Sequence, residues 1–362
     1  MVRSVRILAV LSLLVAASTV LAQGRLQEIK NRGELRCGVN ATLPGFGFVD
    51  ASGAYQGFDV DFCKAIAAAV LGDANAVVYR PLTAGERPTA LQSGEIDVLI
   101  RNTTRTSSRE SDWGANFAPT TYYDGQGFMV RKDSGINSLQ DFEGRSVCVQ
   151  SGTTTETNLG TTLAGLGIDF TPVIFETAPV LIAAYDDGQC DGWTTDTSGL
   201  VSYQQQLRVP DDHKILPVVI SKEPLGPAVL HGDDQWYDVV TWTVFALFNA
   251  EEYGVTQANV DDLRANAQDP QVLRLLGAPG SESYVQALGL SADAFYNAIK
   301  AVGNYGEIFD RNLGAGSGMV VNMWLEANTG EPERGSARRR SRHGAHERLT
   351  SSTRRHRGSD QH

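Results

Sequence analysis

Residues 90–112 read ALQSGEIDVLIRNTTRTSSRESD, and how this stretch is parsed decides the fold. Ile96 to Ile100 reads IDVLI, apolar at every position but Asp97 and without the regular alternation of a half-wet strand. Strands with one wet face alternate apolar and polar residues, whereas strands covered on both faces of a parallel sheet do not. The segment from Thr83 to Glu95 carries Pro88 early and Gly94 late, which predicts a short helix stopping at Gly94. Arg101, Arg105 and Arg109 then follow the strand together with a row of hydroxyls. Ligands of open parallel sheets sit beyond the carboxyl ends of the strands. Two readings result: a solvated loop with a helix cap, or a binding site for a carboxylate.

The same alternation extends outward in both directions. Upstream, LRCGVN (Leu35 to Asn40) predicts a strand. FDVDFCKAIAAAVLG predicts a helix with Phe62, Ile66, Ala69 and Val70 on its apolar positions and a stop at Gly72. AVVYRPL is a further strand. Strand, helix, strand, helix, strand is the order of an α/β domain with a mainly parallel sheet flanked by helices. Beyond YYDGQGFMVRK (Tyr122 to Lys132) the plan repeats. SLQDFEG starts a short helix, RSVCVQ is a strand, and SGTTTETNLGTTLAGLG is a loop running into a helix. FTPVIFE, TAPVLIAAYDDGQ and CDGWTTD predict strand, helix and a short strand ending near Asp196. Residues 238–254 form a strongly apolar helical pattern, with more helices in DPQVLRLLG and SADAFYNAIKAVGNYGEIFDRNLG.

A length of 362 residues allows one large domain or two ordinary ones. With 42% apolar and 20% charged residues, the chain reads as soluble with a sizeable core. Its formal net charge of −11 argues against nucleic acid as a partner of the body. Residues 1–22 read as a secretory signal: Arg3 and Arg6, an apolar run from Ile7 to Ala17, and Ala22 before Gln23. That run is shorter than the roughly 20 residues of a membrane span. Residues 331–362 hold nine arginines against four acidic residues, with Leu349 as the one large apolar side chain. This predicts a disordered basic tail, with an RNA- or membrane-binding arm as the less favoured reading.

The four cysteines, Cys37, Cys63, Cys148 and Cys190, all follow the signal. In an exported chain an even count predicts disulfides. Cys37 is paired with Cys63, within one strand–loop–helix unit, and Cys148 with Cys190, on apolar runs further on. Four reduced, buried thiols are the alternative. No C-x-x-C or clustered histidine suggests a metal site.

The chemistry gathers at strand ends. Thr106 or Ser107 is placed as a helix N-cap, with Arg109 and Glu110 in the first turn. A cation there opposes the helix dipole, a cost that an anionic ligand removes. Arginine meets a carboxylate with two parallel hydrogen bonds. In the second half, VQSGTTTET places Gly152 in a tight turn, with Thr153 and Thr154 at a helix start. It lacks the glycine–lysine pair of a nucleotide loop. Asp196 is either the N-cap of the next helix or an acceptor for an ammonium group. Arg109 with Thr104 answers a carboxylate; Asp196, with an oxygen from the first half, answers an ammonium. A zwitterionic amino acid needs both, and burial demands that each of its charges be paired.

The ordered set GFDVDFCKAI, ALQSGEIDVLIRNTTRTSSR, YYDGQGFMV, VCVQSGTTTET, CDGWTTDTSGL and NYGEIFDRNLG resembles the periplasmic amino-acid-binding proteins of polar amino acid ABC transporters, solute-binding protein family 3. It is most similar to the general L-amino-acid binders, over roughly residues 30–315. The resemblance implies a type 2 periplasmic-binding fold of two α/β lobes joined by two hinge strands and closing over the ligand in the cleft. The first lobe would span 23–124 and return over 223–330, and the second would span 125–222. The resemblance implies that Thr104 and Arg109 take the α-carboxylate and that Asn102 lies near the ammonium. It further implies that Gln150, Thr153 and Thr154 form the glycine–threonine loop, with Thr154 on the carboxylate, and that Asp196 takes the ammonium. The family often stacks an aromatic on the ligand from its first loop. Here ATLPGFGF has Leu43 at that place with Phe46 and Phe48 nearby, and Phe46 is the candidate. Arg87, after Glu86, lies on the segment that shapes the side-chain pocket in relatives. Where general binders close with a further apolar and aromatic stretch, this chain has GMVVNMWLEANTGEPERGSARRR. The implied partners are a free L-amino acid and, transiently, an inner-membrane ABC permease. The implied state is a periplasmic monomer with no cofactor and no catalytic residues. The alternative on the same fold is an exported enzyme such as a cyclohexadienyl dehydratase. That reading needs a general acid, for which Glu86 or Glu156 would have to serve.

Overall fold

The computed structural model describes residues 24–281 and 284–314. The expected signal (1–22), the basic tail (331–362) and the replaced closing stretch from Gly318 lie outside the described residues. The first leg of the chain contains α1 (Arg25–Arg32), β1 (Leu35–Val39), β2 (Thr42–Leu43), β3 (Gly47–Val49), β4 (Tyr55–Gln56), α2 (Phe58–Leu71) and β5 (Val77–Pro81). It continues with α3 (Arg87–Gln92), β6 (Val98–Leu99), α4 (Ser107–Trp113), β7 (Ala115–Phe117) and β8 (Tyr122–Asp124). The middle leg holds β9 (Gln126–Arg131), β10 (Arg145–Gln150), α5 (Thr154–Gly165), β11 (Phe170–Phe175), α6 (Ala178–Asp186), β12 (Gly192–Asp196), α7 (Thr197–Gln204) and β13 (His213–Ile215). The return leg holds β14 (Glu223–Leu225), β15 (Ala228–Leu230), α8 (Asp234–Glu252), α9 (Val260–Asn266), α10 (Pro270–Leu275), α11 (Ala294–Val302) and α12 (Tyr305–Asn312).

These elements form two compact units. The first runs up to Thr42, then over Phe46–Tyr123 and Glu223–Glu307; the second comprises Leu43–Gly45, Asp124–Lys222 and the chain from Ile308. The sheet of the first has the order β5-β1-β6-β15-β7, and that of the second β11-β10-β12-β9-β13. In the first, β5, β1 and β6 are parallel and β15 pairs antiparallel with both β6 and β7. In the second, β11, β10 and β12 are parallel and β9 runs against both β12 and β13. Four of five strands therefore share one direction in each sheet, as a mainly parallel sheet requires. The chain leaves the first unit at β8 and re-enters it at β14, and these two strands pair.

The local physics explains the elements. From Phe58 to Val70 every residue of α2 except Lys64 is buried, so this helix is apolar around most of its circumference. It stops at Gly72, whose φ of 75° suits a residue without a Cβ. Ile96 to Ile100 is wholly buried, including Asp97, whose carboxylate accepts from the Arg36 N–H at 2.7 Å and pairs with Arg25 at 3.5 Å; only Val98–Leu99 forms ladder bonds. The second unit closes around Phe128, Phe142, Val147, Val149, Leu159 and Leu163. Each unit contains one disulfide: Cys37–Cys63 ties β1 to α2, and Cys148–Cys190 ties β10 to the residues before β12.

Candidate functional site

In the first unit the decisive stretch becomes a short turn and a capped helix. Thr106 is the N-cap of α4: its Oγ1 accepts from the Arg109 N–H at 3.2 Å. Arg109 lies in the first turn and is only 6% exposed. Its Nη1 donates to the Thr104 carbonyl at 2.8 Å, and its guanidinium lies 4.9 Å from the centre of the Trp113 ring. Arg87, 2% exposed, lies 5.4 Å from the same ring. It donates to the Ala84 carbonyl at 2.9 Å and to Thr103 Oγ1 at 3.3 Å. One indole therefore seats two guanidinium groups, a geometry in which the negative face of the ring attracts cations. Thr104 is buried and bridges Leu225 through its backbone.

Asn102 precedes these residues. Among the described residues it is the only non-glycine with positive φ, 31°. Its N–H donates to Asp59 Oδ2 at 2.6 Å, and its Oδ1 accepts from Asn40 Nδ2 at 3.2 Å. Arg101 is buried alongside, donating to the Leu82 carbonyl at 2.9 Å. Burial pushes the Asp59 carboxyl up to about 7, against the Asn102 N–H and the Arg101 charge, which pull it down. Arg105 is exposed and pairs with Glu110 at 2.7 Å; such an ion pair contributes little.

In the second unit the predicted residues are held by hydroxyls and backbone groups. Thr153 caps α5, accepting from the Glu156 N–H at 3.1 Å and donating to the Gln150 carbonyl at 2.7 Å. Thr155 Oγ1 donates to it as well, at 2.6 Å. Thr153 is expected as a ligand contact, but these three bonds commit its hydroxyl to shaping the loop. Thr154 is the first residue of α5, and Gln150 donates to the Glu176 carbonyl at 2.9 Å. Asp196 ends β12 and stands at the N-cap position of α7, yet its side chain takes no capping bond. Asp124 does that work instead. Its carboxylate accepts from the Ser198 N–H at 3.3 Å and from the Ser198 hydroxyl.

Phe46, expected as the aromatic contact, is a core residue. Its ring meets Tyr122 edge-on at 5.2 Å and Phe58 at 6.0 Å and is 1% exposed. A phenylalanine flanked by glycines in a loop gives no sign of which way it turns. Asp59, Trp113, Asp124 and Gln126 also support the expected residues, and local sequence pattern does not mark those roles. The fully buried Gln126 ties β12 to α5 by donating to Thr194 Oγ1 and to the Thr155 carbonyl, both at 3.0 Å. The one available signal was GFDVDF, where two acids open an otherwise apolar helix. Among the described residues, no cluster of three or more His, Cys, Asp or Glu is placed to hold a metal ion.

Residues 35–315 match the bacterial extracellular solute-binding proteins, family 3. The chain belongs to this family. It is 55% identical, over 302 residues, to the general L-amino acid-binding periplasmic protein AapJ of Rhizobium johnstonii, covering 83% of this chain and 88% of that protein. It is 48% identical to the glutamate/glutamine/aspartate/asparagine-binding protein BztA of Rhodobacter capsulatus, covering 83% and 89%. Among solved structures, an ABC transporter periplasmic binding protein from Brucella ovis with glutathione bound matches with a TM-score of 0.78 and 50% identity, over 81% of this chain and 92% of that one. The fold of this family 3 chain is accordingly the type 2 periplasmic-binding fold, with an α/β sheet in each unit.

Proposed function

We propose that this chain is an extracytoplasmic solute-binding protein that captures L-amino acids and delivers them to an inner-membrane ABC permease. It acts by binding alone, with no chemistry on the ligand. The α-carboxylate is taken by Arg109, supported by Thr104 and Thr154. The ammonium is taken by Asp196, with Asn102 nearby. Arg87 and Gln150 contribute to recognition of the side chain. The observation that carries this reading is Arg109. A guanidinium is held in the first turn of a helix, where the dipole disfavours a cation, by an indole face and a backbone carbonyl. An anionic ligand group accounts for a cation kept there. The relatives support the reading, since the two quoted by name are amino-acid-binding proteins.

The test is calorimetry with the twenty L-amino acids and glutathione, beside a turnover assay on a carboxylated ring acid such as prephenate. Saturable binding of at least one amino acid at a 1:1 ratio, with the ring acid left unconsumed, is the expected result. Consumption of the acid without amino-acid binding would overturn the proposal in favour of an enzyme on the same fold.

A further inference from the structure

We propose that Asp59 is a positioning residue for the carboxylate-binding loop: its buried carboxyl takes the Asn102 N–H and thereby holds residues 102–104 in the turn on which Arg109 and Arg87 are seated. The inference rests on the amino-acid-binding reading for its effect on affinity, but not for its structural content.

The argument starts from Asn102. A non-glycine residue at a φ of 31° is strained, asparagine least among them. Such a conformation persists only where its surroundings over-determine it. The Asn102 N–H points at Asp59 Oδ2, 2.6 Å away and 43 residues earlier in the chain. An Asp59 carboxyl oxygen can accept this bond whether or not the group carries its proton, and the bond is of the stronger kind when the group is ionised.

Asp59 does not cap its own helix. The N-cap of α2 is Gly57, with no side-chain bond, and Asp59 is the second helical residue. Its position is set by the backbone. The Asp59 N–H donates to the Phe46 carbonyl at 2.9 Å, and a Cβ on Gly57 would lie 2.2 Å from that same oxygen. Gly57, with φ 130°, permits this close approach. The first turn of a helix also favours a carboxylate.

Downstream, the turn carries the seats of both guanidinium groups. Thr103 Oγ1 donates to the Arg101 carbonyl at 2.8 Å and accepts from Arg87 at 3.3 Å. The Thr104 carbonyl accepts from Arg109 at 2.8 Å. A turn released at Asn102 moves both acceptors.

The experiment is a double-mutant cycle on the full mature chain with two readouts. The variants are Asp59→Ala, Asp59→Asn, Asn102→Gly and the double variant Asp59→Ala/Asn102→Gly. The first readout is hydrogen exchange of the Asn102 amide without ligand. The second is calorimetric affinity for the L-amino acids that the wild type binds. Asp59→Ala is expected to expose the Asn102 amide to exchange and to weaken binding roughly tenfold, about the strain of one left-handed non-glycine residue. Asp59→Asn keeps a carbonyl acceptor and loses less. With glycine at 102 the turn is unstrained, so adding Asp59→Ala should then cost less than about threefold. An equal loss in both backgrounds, or unchanged protection of the Asn102 amide, overturns the inference. If Asp59→Ala does not fold, Asp59→Asn decides alone, by whether exchange at Asn102 rises. If the wild type binds no amino acid, the functional reading falls while the exchange data still judge Asp59.

Discussion

The two units lay down the same sheet, three parallel strands followed by a reversed strand and a last one, yet they hold their site residues by opposite means. The first places ionisable side chains in the core: Arg87, Arg101, Arg109 and Asp59 are each at most 6% exposed. The second works with neutral groups, through the Thr153 cap, the Gln126 amide and the Thr194 hydroxyl. Its buried Asp124 is given over to the Ser198 N–H and hydroxyl at the start of α7. Buried charge is costly unless matched, and removing one partner leaves the other stranded. Neutral capping bonds contribute about 1 kcal/mol each. Replacing a supporting residue should therefore cost more in the first unit than in the second.

The strongest test of that contrast is Arg109→Ala. Loss of the charge that meets a buried carboxylate is expected to weaken amino-acid binding by two or more orders of magnitude, on the order of 3–5 kcal/mol. Arg109→Lys should recover only part of this, because a lysine lacks the planar fork. Calorimetry measures both, and near-native affinity in Arg109→Ala would remove Arg109 from the site.

Next in size is Asp196→Asn, expected to weaken binding by about one order of magnitude or more through loss of the ammonium's counter-charge. Its ligand-free melting temperature should fall less than that of Asp124→Asn, since Asp124 carries the bonds to Ser198 at the α7 terminus. Asp124→Asn should show the reverse pattern, with the melting temperature falling first. Equal thermal losses in the two variants would mean that the capping roles are not divided in this way.

Most of the fold was legible because its helices and central strands are long enough to show a period. The mostly apolar strand around Val98 and Leu99, the glycine stop of α2 and the Thr106 cap all follow from local chemistry. The strands β2, β3, β4, β7 and β15 escaped because two or three residues carry no readable period. At the site, the residues near strand ends were visible and their supports were not. Nothing local says that Trp113 turns back over Arg109, or that Asp59 reaches Asn102 from another helix. The packing of Phe46 against Tyr122 was unreadable for the same reason, since a loop phenylalanine faces the core or a ligand according to packing alone.

Asp59 adds a pH test of the charged half. Its carboxyl is pushed up from 3.8 to about 7 by burial, so between those values the folded chain keeps a proton that the unfolded chain releases. Through this group, stability is greatest near pH 4, falls as pH rises toward about 7, and levels off above it. Other carboxylates titrate too, so the quantity to measure is the stability of wild type minus that of Asp59→Asn, by urea unfolding across pH 4–9. A difference that stays constant over that range would show that Asp59 is not held protonated by its surroundings.

The smallest expected effects come from matched cap substitutions, one in each unit. Thr106→Ala removes the bond to the Arg109 N–H, and Thr153→Ala removes the bond to the Glu156 N–H. Each should lower stability by about 1 kcal/mol, the usual contribution of a threonine N-cap. Their effects on binding should differ. Thr106 is bonded to the backbone of the very residue that carries the guanidinium, so its loss should loosen Arg109 and weaken affinity a few-fold. Thr153 shapes a loop that is also restrained by the Gln126 bond to the Thr155 carbonyl and by the Gly152 N–H bond to the Glu156 carboxylate, so affinity should stay within about twofold, as for a redundantly held group. A larger affinity loss in Thr153→Ala than in Thr106→Ala would invert the ranking of the two halves and place the sensitive part of the site in the second unit.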